Sequence, residues 1–332
     1  MQPFAFSRAH DVQQAIQAGA HASTAQQGAE VRYVAGGTTL IDLMKLDVER
    51  PAQVVDINHL PLDKVESTAD GRLKIGALVR NADLAVLPEV QRNYTALSQA
   101  LLAGASGQLR NMATTGGNLL QRTRCAYFRD SASACNKREP GSGCPAIEGY
   151  NRNLAILGVS PHCIATNPSD MNVALTALEA TIVIQGRKGE RSVPIAEFFL
   201  LPGDAPQVET VMEPGDLITH VLLPKPEAGA RSHYVKLRDR ASYEFALASA
   251  AVVVTMQDGK IASARIAMGG IATRPWRSQE AEGVLTAQAP SPDLFEHAAQ
   301  ALLANAKPQS QNGFKLELAR RCLTHALTQV TA

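Results

Sequence analysis

Cys125, Cys135, Cys144 and Cys163 are the residues in this chain best suited to chemistry. Four of the five cysteines fall in one stretch, separated in turn by nine, eight and eighteen residues. An odd total in a chain of 332 residues does not read as the disulfide framework of a small secreted domain, and the clustering favours metal ligation. Zinc ribbons and fingers draw thiolates from pairs about two to four residues apart, which close a tight chelate on one small ion. The wider spacing here suits a long loop wrapped around a cubane cluster, whose iron corners take separate thiolates. On spacing alone zinc stays the alternative. Arg110, Arg122, Arg124, Arg129, Lys137 and Arg138 surround the cysteines, with Asp130 opposing them. Positive charge raises the potential of an anionic cluster; the same residues suit an acidic partner or a solvated face. His162 reads as a surface histidine and Cys322, inside a helical pattern, as a core cysteine.

Two glycine pairs ahead of the cysteines are arranged in a way that suits an anion. Val34-Ala35 runs into Gly36-Gly37 and then Thr38-Thr39-Leu40; Thr114-Thr115 runs into Gly116-Gly117-Asn118. Strand, glycine turn and helix start present free backbone N–H groups to a phosphate, and Thr38, Thr39 and Thr114 add hydroxyls. A tight turn before a capped helix is the plainer reading of either pair. Asp170 reads as a helix N-cap that can also face a ligand. No nucleophile, base and orienting residue group together.

The elements that must position these residues follow from periodicity. Helical spacing covers 10–20, 40–48, 94–103, 171–179, 292–304 and 314–330. Strands are expected at 31–35, 53–57, 73–77, 113–120 (bent at its glycine pair), 153–159, 180–185 and 217–223. Residues 192–200 form a further ordered segment. Three more strands, 233–237, 246–256 and 261–268, follow a linker at 224–229, with Asp258-Gly259 as a hairpin turn. Residues 125–149 read as a loop, and a loop this long that carries three cysteines is functional rather than disordered. Net charge is +1 and 45% of residues are hydrophobic, so nothing points to nucleic acid or to membrane insertion. The N-terminus shows no basic start, apolar middle and cleavage site of a signal peptide.

Taken together these motifs resemble the FAD-binding medium subunit of the xanthine dehydrogenase family of molybdenum hydroxylases. The segment 33–40 looks like the family's first pyrophosphate loop and 110–118 like its second flavin segment. Pro168-Ser169-Asp170-Met171 resembles the segment whose acidic residue contacts the cofactor. Gly215-Asp216-Leu217-Ile218 resembles the region packed on the isoalloxazine ring, and 234–238 the start of the C-terminal domain. The resemblance implies cofactor contacts at Val34, Ala35, Gly36, Gly37, Thr38, Thr39, Leu40, Ala105, Thr114, Gly117, Asn118, Asp170, Leu217, Ile218 and Lys236.

Within the family, the 125–144 insertion is similar to one in the middle subunit of bacterial periplasmic aldehyde oxidoreductases, where it carries an added [4Fe–4S] cluster. That likeness implies Cys125, Cys135, Cys144 and Cys163 as its ligands. The beta subunit of hydroxybenzoyl-CoA reductase is the competing likeness. The implied fold is α+β: a two-subdomain FAD-binding domain of the vanillyl-alcohol-oxidase type at 1–226, split near 57, with the insertion at 121–150. A C-terminal domain of the carbon-monoxide-dehydrogenase flavoprotein type follows at 230–332, with a three-stranded antiparallel sheet and helices. The implied function is electron transfer in a heterotrimeric aldehyde oxidoreductase. Its partners are a large subunit with the molybdenum cofactor and a small subunit with [2Fe–2S] clusters, and its electron acceptor is external. Some NAD-reducing members carry a lysine at the segment matching 245–248; this chain has none, which speaks against NAD. A free-standing flavin oxidase and a zinc-stabilised scaffold are the rival readings. Export to the periplasm on a partner's signal is expected, with cytoplasmic residence as the alternative.

Overall fold

The computed structural model describes residues 1–332. The chain opens with β1 (Ala5–Arg8), α1 (Val12–Gly19), β2 (Val31–Val34), α2 (Leu40–Lys45) and β3 (Gln53–Asp56). The strands form a parallel sheet in the order β1-β3-β2. Asp11 starts α1 by accepting from the Gln14 N–H at 2.7 Å, the N-cap its position suggests.

The middle of the chain carries β4 (Val65–Ser67), β5 (Leu73–Gly76), α3 (Asn81–Val86), α4 (Pro88–Asn93), α5 (Thr95–Ala103), α6 (Gly107–Met112), α7 (Thr115–Leu119) and α8 (Ala126–Arg129). After the cysteine-bearing segment come α9 (Asp170–Ala177), β6 (Thr181–Gly186), β7 (Gly189–Pro194), α10 (Ile195–Phe198) and β8 (Leu217–Leu223). The five strands pair antiparallel in the order β4-β5-β8-β6-β7. Because β8 lies between β5 and β6, the segment 77–180 is a long excursion out of this sheet. That excursion holds the second glycine turn and all four clustered cysteines.

The last part holds β9 (Ala230–Leu237), β10 (Ala248–Gln257), β11 (Lys260–Gly269), β12 (Trp276–Arg277), α11 (Gln279–Leu285), α12 (Pro292–Leu303) and α13 (Phe314–Thr331). The sheet order is β12-β11-β10-β9, so the three expected strands gain a two-residue fourth. Asp258 and Gly259 both take positive φ (50° and 73°), which the tight β10–β11 hairpin requires. Alternation along β10 explains its continuous apolar run. Ala248, Ala250, Val252 and Val254 pack with α12 and α13, while Ala251 and Val253 join the core shared with α5 and α9. No helix is long and apolar enough to cross a membrane.

Several expectations differ. Residues 113–120 are not a strand: the Thr114 hydroxyl accepts from the Gly117 N–H at 3.2 Å and caps the short α7. Residues 153–159 are not a strand: they run through turns and bends, with Gly158 at φ 64°, and make only an isolated pairing, Leu157 with Ala272, so no ladder forms. The N-cap of α9 is Ser169, whose hydroxyl accepts from Asn172 N–H at 3.0 Å; Asp170 is already helical. In 192–200 the chain leaves β7 at Pro194 for α10.

Candidate flavin cleft and four-cysteine site

Gly37 carries the turn out of β2 with φ 73°, a conformation glycine adopts at no steric cost. A Cβ on Gly36 would lie 1.9 Å from the Met112 carbonyl oxygen, so the loop closes directly on the end of α6. Thr39 begins α2 without a side-chain capping bond. The facing wall is α7, tied to the residue just after β5 by the Gly116 N–H donating to Ala77 O at 2.8 Å. The start of β8 forms the third side.

Between these walls lies a cleft of about 260 Å³. Ala35, Gly36, Gly37, Thr38, Thr39, Leu40, Thr114, Gly117, Leu217 and Ile218 all line it. Five of the expected contact residues do not. Val34 precedes the turn. Asn118 accepts from the Ser169 hydroxyl at 2.7 Å and so joins α7 to the start of α9.

Asp170, Lys236 and Ala105 gather elsewhere, where β9 meets α5 and α9. Lys236 Nζ lies 2.8 Å from Asp170 Oδ2, with both side chains buried. The Tyr234 hydroxyl donates to the other carboxylate oxygen. Burial first, then the Asp170 charge, push the Tyr234 phenol well above its ordinary value. Lys236 also donates to Ala103 O at 3.2 Å, and Arg238 to the same carbonyl at 2.8 Å. Ala105 follows closely with φ 52°, unusual for a residue with a Cβ.

The cleft also contains a buried ionic network that the sequence pattern did not reveal. Glu49 accepts from Arg32 at 3.0 Å and from Arg122 at 2.6 Å; Arg122 pairs with Glu209, which Lys137 meets at 2.9 Å. Burial alone would raise the Glu209 carboxyl, but Arg122 and Lys137 outweigh it and hold it below the ordinary range. Arg32 interrupting an apolar strand was the one local signal. Arg122 Nη2 stays without a partner although buried on the cleft wall, the condition of a donor suited to an acceptor on a bound molecule.

The four cysteines line a second, smaller cavity with Tyr127, Phe128, Asn136, Lys137 and His162. All four thiols are free. The loop holding them is ordered by its own bonds: Cys135 N–H donates to the Ser142 hydroxyl at 2.9 Å, and Asn136 and Gly143 exchange two bonds of 2.8 Å. Burial pushes the Cys125 thiol up to about 11 and raises Cys144 and Cys163 as well. No three His, Cys, Asp or Glu side chains stand close enough to hold a single metal ion. Four free thiols around one cavity are a donor set of the kind that iron–sulfur clusters take.

The cationic residues around the cysteines are committed internally rather than forming a solvated face. Arg124 and Arg129 reach Asp42 at 3.1 and 2.8 Å, and Arg138 donates to the carbonyls of Tyr127 and Phe128 at 2.8 Å each. His162 is exposed, as expected, and Cys322 is buried in α13.

This fold and cleft define a flavin-binding subunit of the molybdenum hydroxylase type. Residues 2–226 match the family described as FAD binding domain in molybdopterin dehydrogenase, and 232–330 match the CO dehydrogenase flavoprotein C-terminal domain. The chain belongs to the FAD-binding medium subunits of the molybdenum hydroxylase family. It is 51% identical over 314 residues to the aldehyde oxidoreductase FAD-binding subunit PaoB of Escherichia coli, covering 94% of this chain and 95% of that protein. It is 27% identical to the glyceraldehyde dehydrogenase medium chain of Sulfolobus acidocaldarius, covering 93% of this chain and 90% of that protein. The solved carbon monoxide dehydrogenase of Hydrogenophaga pseudoflava shares the fold, with a TM-score of 0.77 at 24% identity over 99% of this chain and 98% of that one.

Proposed function

We propose that this chain is the FAD- and [4Fe–4S]-carrying electron-transfer subunit of a heterotrimeric molybdenum-dependent aldehyde oxidoreductase. The observation that carries the reading is the shared wall: Lys137, Cys163 and Ala165 line both the flavin cleft and the four-cysteine cavity. The relative at 51% identity, named an aldehyde oxidoreductase subunit, supports the substrate class. In this reading Ala35, Gly36, Gly37, Thr38, Thr39, Leu40, Thr114 and Gly117 hold the cofactor through backbone N–H groups and hydroxyls, and Leu217 and Ile218 press on its ring. Val34, Ala105, Asn118, Asp170 and Lys236 shape the segments around it. Cys125, Cys135, Cys144 and Cys163 ligate the cluster. Bound FAD and the cluster supply the redox chemistry; the chain positions them and keeps water from the cysteine cavity.

The partners are a large molybdenum-cofactor subunit and a small [2Fe–2S] subunit, which deliver electrons that leave for an external acceptor. Export of the assembled complex on a partner's signal belongs to the same proposal. Fractionating cells with and without that signal tests it. The cofactor assignment is tested by metal and flavin analysis of the anaerobically purified complex. One FAD per chain and four irons beyond those of the small subunit are expected; zinc in place of those irons sinks the cluster assignment.

A further inference from the structure

Lys137 lies two residues beyond Cys135, yet its ammonium is kept from solvent. Its side chain is 8% exposed, and Nζ donates to Pro206 O and to Glu209 Oε1, each at 2.9 Å. From Glu209 the ionic chain continues through Arg122 and Glu49 to Arg32, along the wall of the flavin cleft. Three cations face two carboxylates, so the chain carries one excess positive charge, and Lys137 sets it at the end nearest the cysteines. Withdrawing an ammonium from water is costly. An apolar side chain of similar length would fill the same volume, so packing alone does not call for a charge here. Cys163 lines the same shared wall as Lys137. A group held by four thiolates is anionic, and nearby positive charge favours its taking up an electron.

We propose that Lys137 is a positioning residue of the four-cysteine site. Held by Glu209 and the Pro206 carbonyl, its ammonium makes the bound cluster easier to reduce, and Glu209 tempers that effect while linking it to the flavin cleft. This inference rests on the cluster reading above. The two carboxylate and ammonium groups act in opposite directions, which gives the test its sign.

The experiment uses the whole complex, purified anaerobically as wild type, K137M, K137R and E209Q. Iron and FAD content are measured first, then the midpoint potential of the added cluster by redox titration followed by electron paramagnetic resonance. The expected result is full iron and FAD throughout. The potential should move down in K137M, stay near wild type in K137R and move up in E209Q. An unmoved potential in iron-loaded K137M overturns the proposal. Should K137M lose iron while wild type keeps it, E209Q decides: an unmoved or lowered potential, or iron loss there too, assigns the pair a structural role and overturns the proposal. A wild-type complex without the added irons overturns the cluster reading and this inference together, whereas loaded proteins with equal potentials overturn this one alone.

Discussion

A methyl group on Gly36 would overlap the Met112 carbonyl oxygen at 1.9 Å, so this position admits no side chain unless the loop moves off α6. Gly36→Ala is expected to cost about 1–3 kcal/mol through overpacking and to lower FAD occupancy, read by denaturant unfolding and by flavin absorbance per chain. Lys315 offers a separate pH signature. It is fully buried, donates to Gly270 O at 2.6 Å, and burial depresses its ammonium to about 7. The unfolded chain, with a lysine at about 10.4, binds more protons between those values. Stability contributed at this site therefore rises from about pH 7 toward pH 10 and is lost as pH falls through that window. In Lys315→Met the difference between unfolding midpoints at pH 7 and pH 9 should shrink; an unchanged difference contradicts the assignment. At this scale the sequence showed residue types but not partners. The glycines, threonines and cysteines were legible because their chemistry is local. Glu49 and Glu209 were not, since they meet Arg122 and Lys137 across 73 and 72 residues.

Among elements, α7 shows most clearly what pattern reading loses. Thr115–Leu119 is too short for a helical period to register, and a glycine pair suggests a bent strand. What decides the outcome is the Thr114 cap, a single side-chain bond to Gly117 N–H. Thr114→Ala should cost ~1 kcal/mol and weaken flavin retention during gel filtration, while Thr114→Ser should restore both. Equal loss in the two variants would show that the hydroxyl is not what matters. The longer elements were legible for the opposite reason. In α13, Ala319, Cys322, Leu323, Ala326, Leu327 and Val330 repeat every three or four residues over eighteen, enough to average out local noise. The 153–159 segment fell between these cases: it is apolar because it is buried, at Leu154, Ala155, Ile156 and Leu157, and not because it pairs in a sheet.

Across the whole molecule, two distant parts of the chain are joined by the Asp170–Lys236 pair, with Tyr234 and the Ala103 carbonyl completing its bonds. Breaking such a pair strands a buried charge. Asp170→Asn should destabilise by about 3–5 kcal/mol, and adding Lys236→Met should recover part of that loss in a double-mutant cycle. Additive losses on thermal unfolding would contradict the pairing. The order of domains was legible from the motifs, because each keeps its place along the chain. The nearness of cleft and cysteine cavity was legible in part, since Cys163 stands only seven residues before Asp170; the share of Lys137 in their common wall was not, because it depends on the long-range contact of Lys137 with Pro206 and Glu209. Cys163 sits on that shared wall and Cys322 lines neither cavity, packed instead in the core of α13, so Cys163→Ser should lose iron while Cys322→Ser keeps it.

The central claim is that four cysteines in this chain hold an iron–sulfur cluster beside the flavin. The direct measurement compares iron content and the reduced-state electron paramagnetic resonance spectrum of the anaerobically purified complex with those of its Cys135→Ser form. A loss of iron together with one cluster signal, with the [2Fe–2S] signals and the molybdenum content unchanged, is predicted. Equal iron in the two proteins, or zinc bound at the cysteines of the wild type, would contradict it.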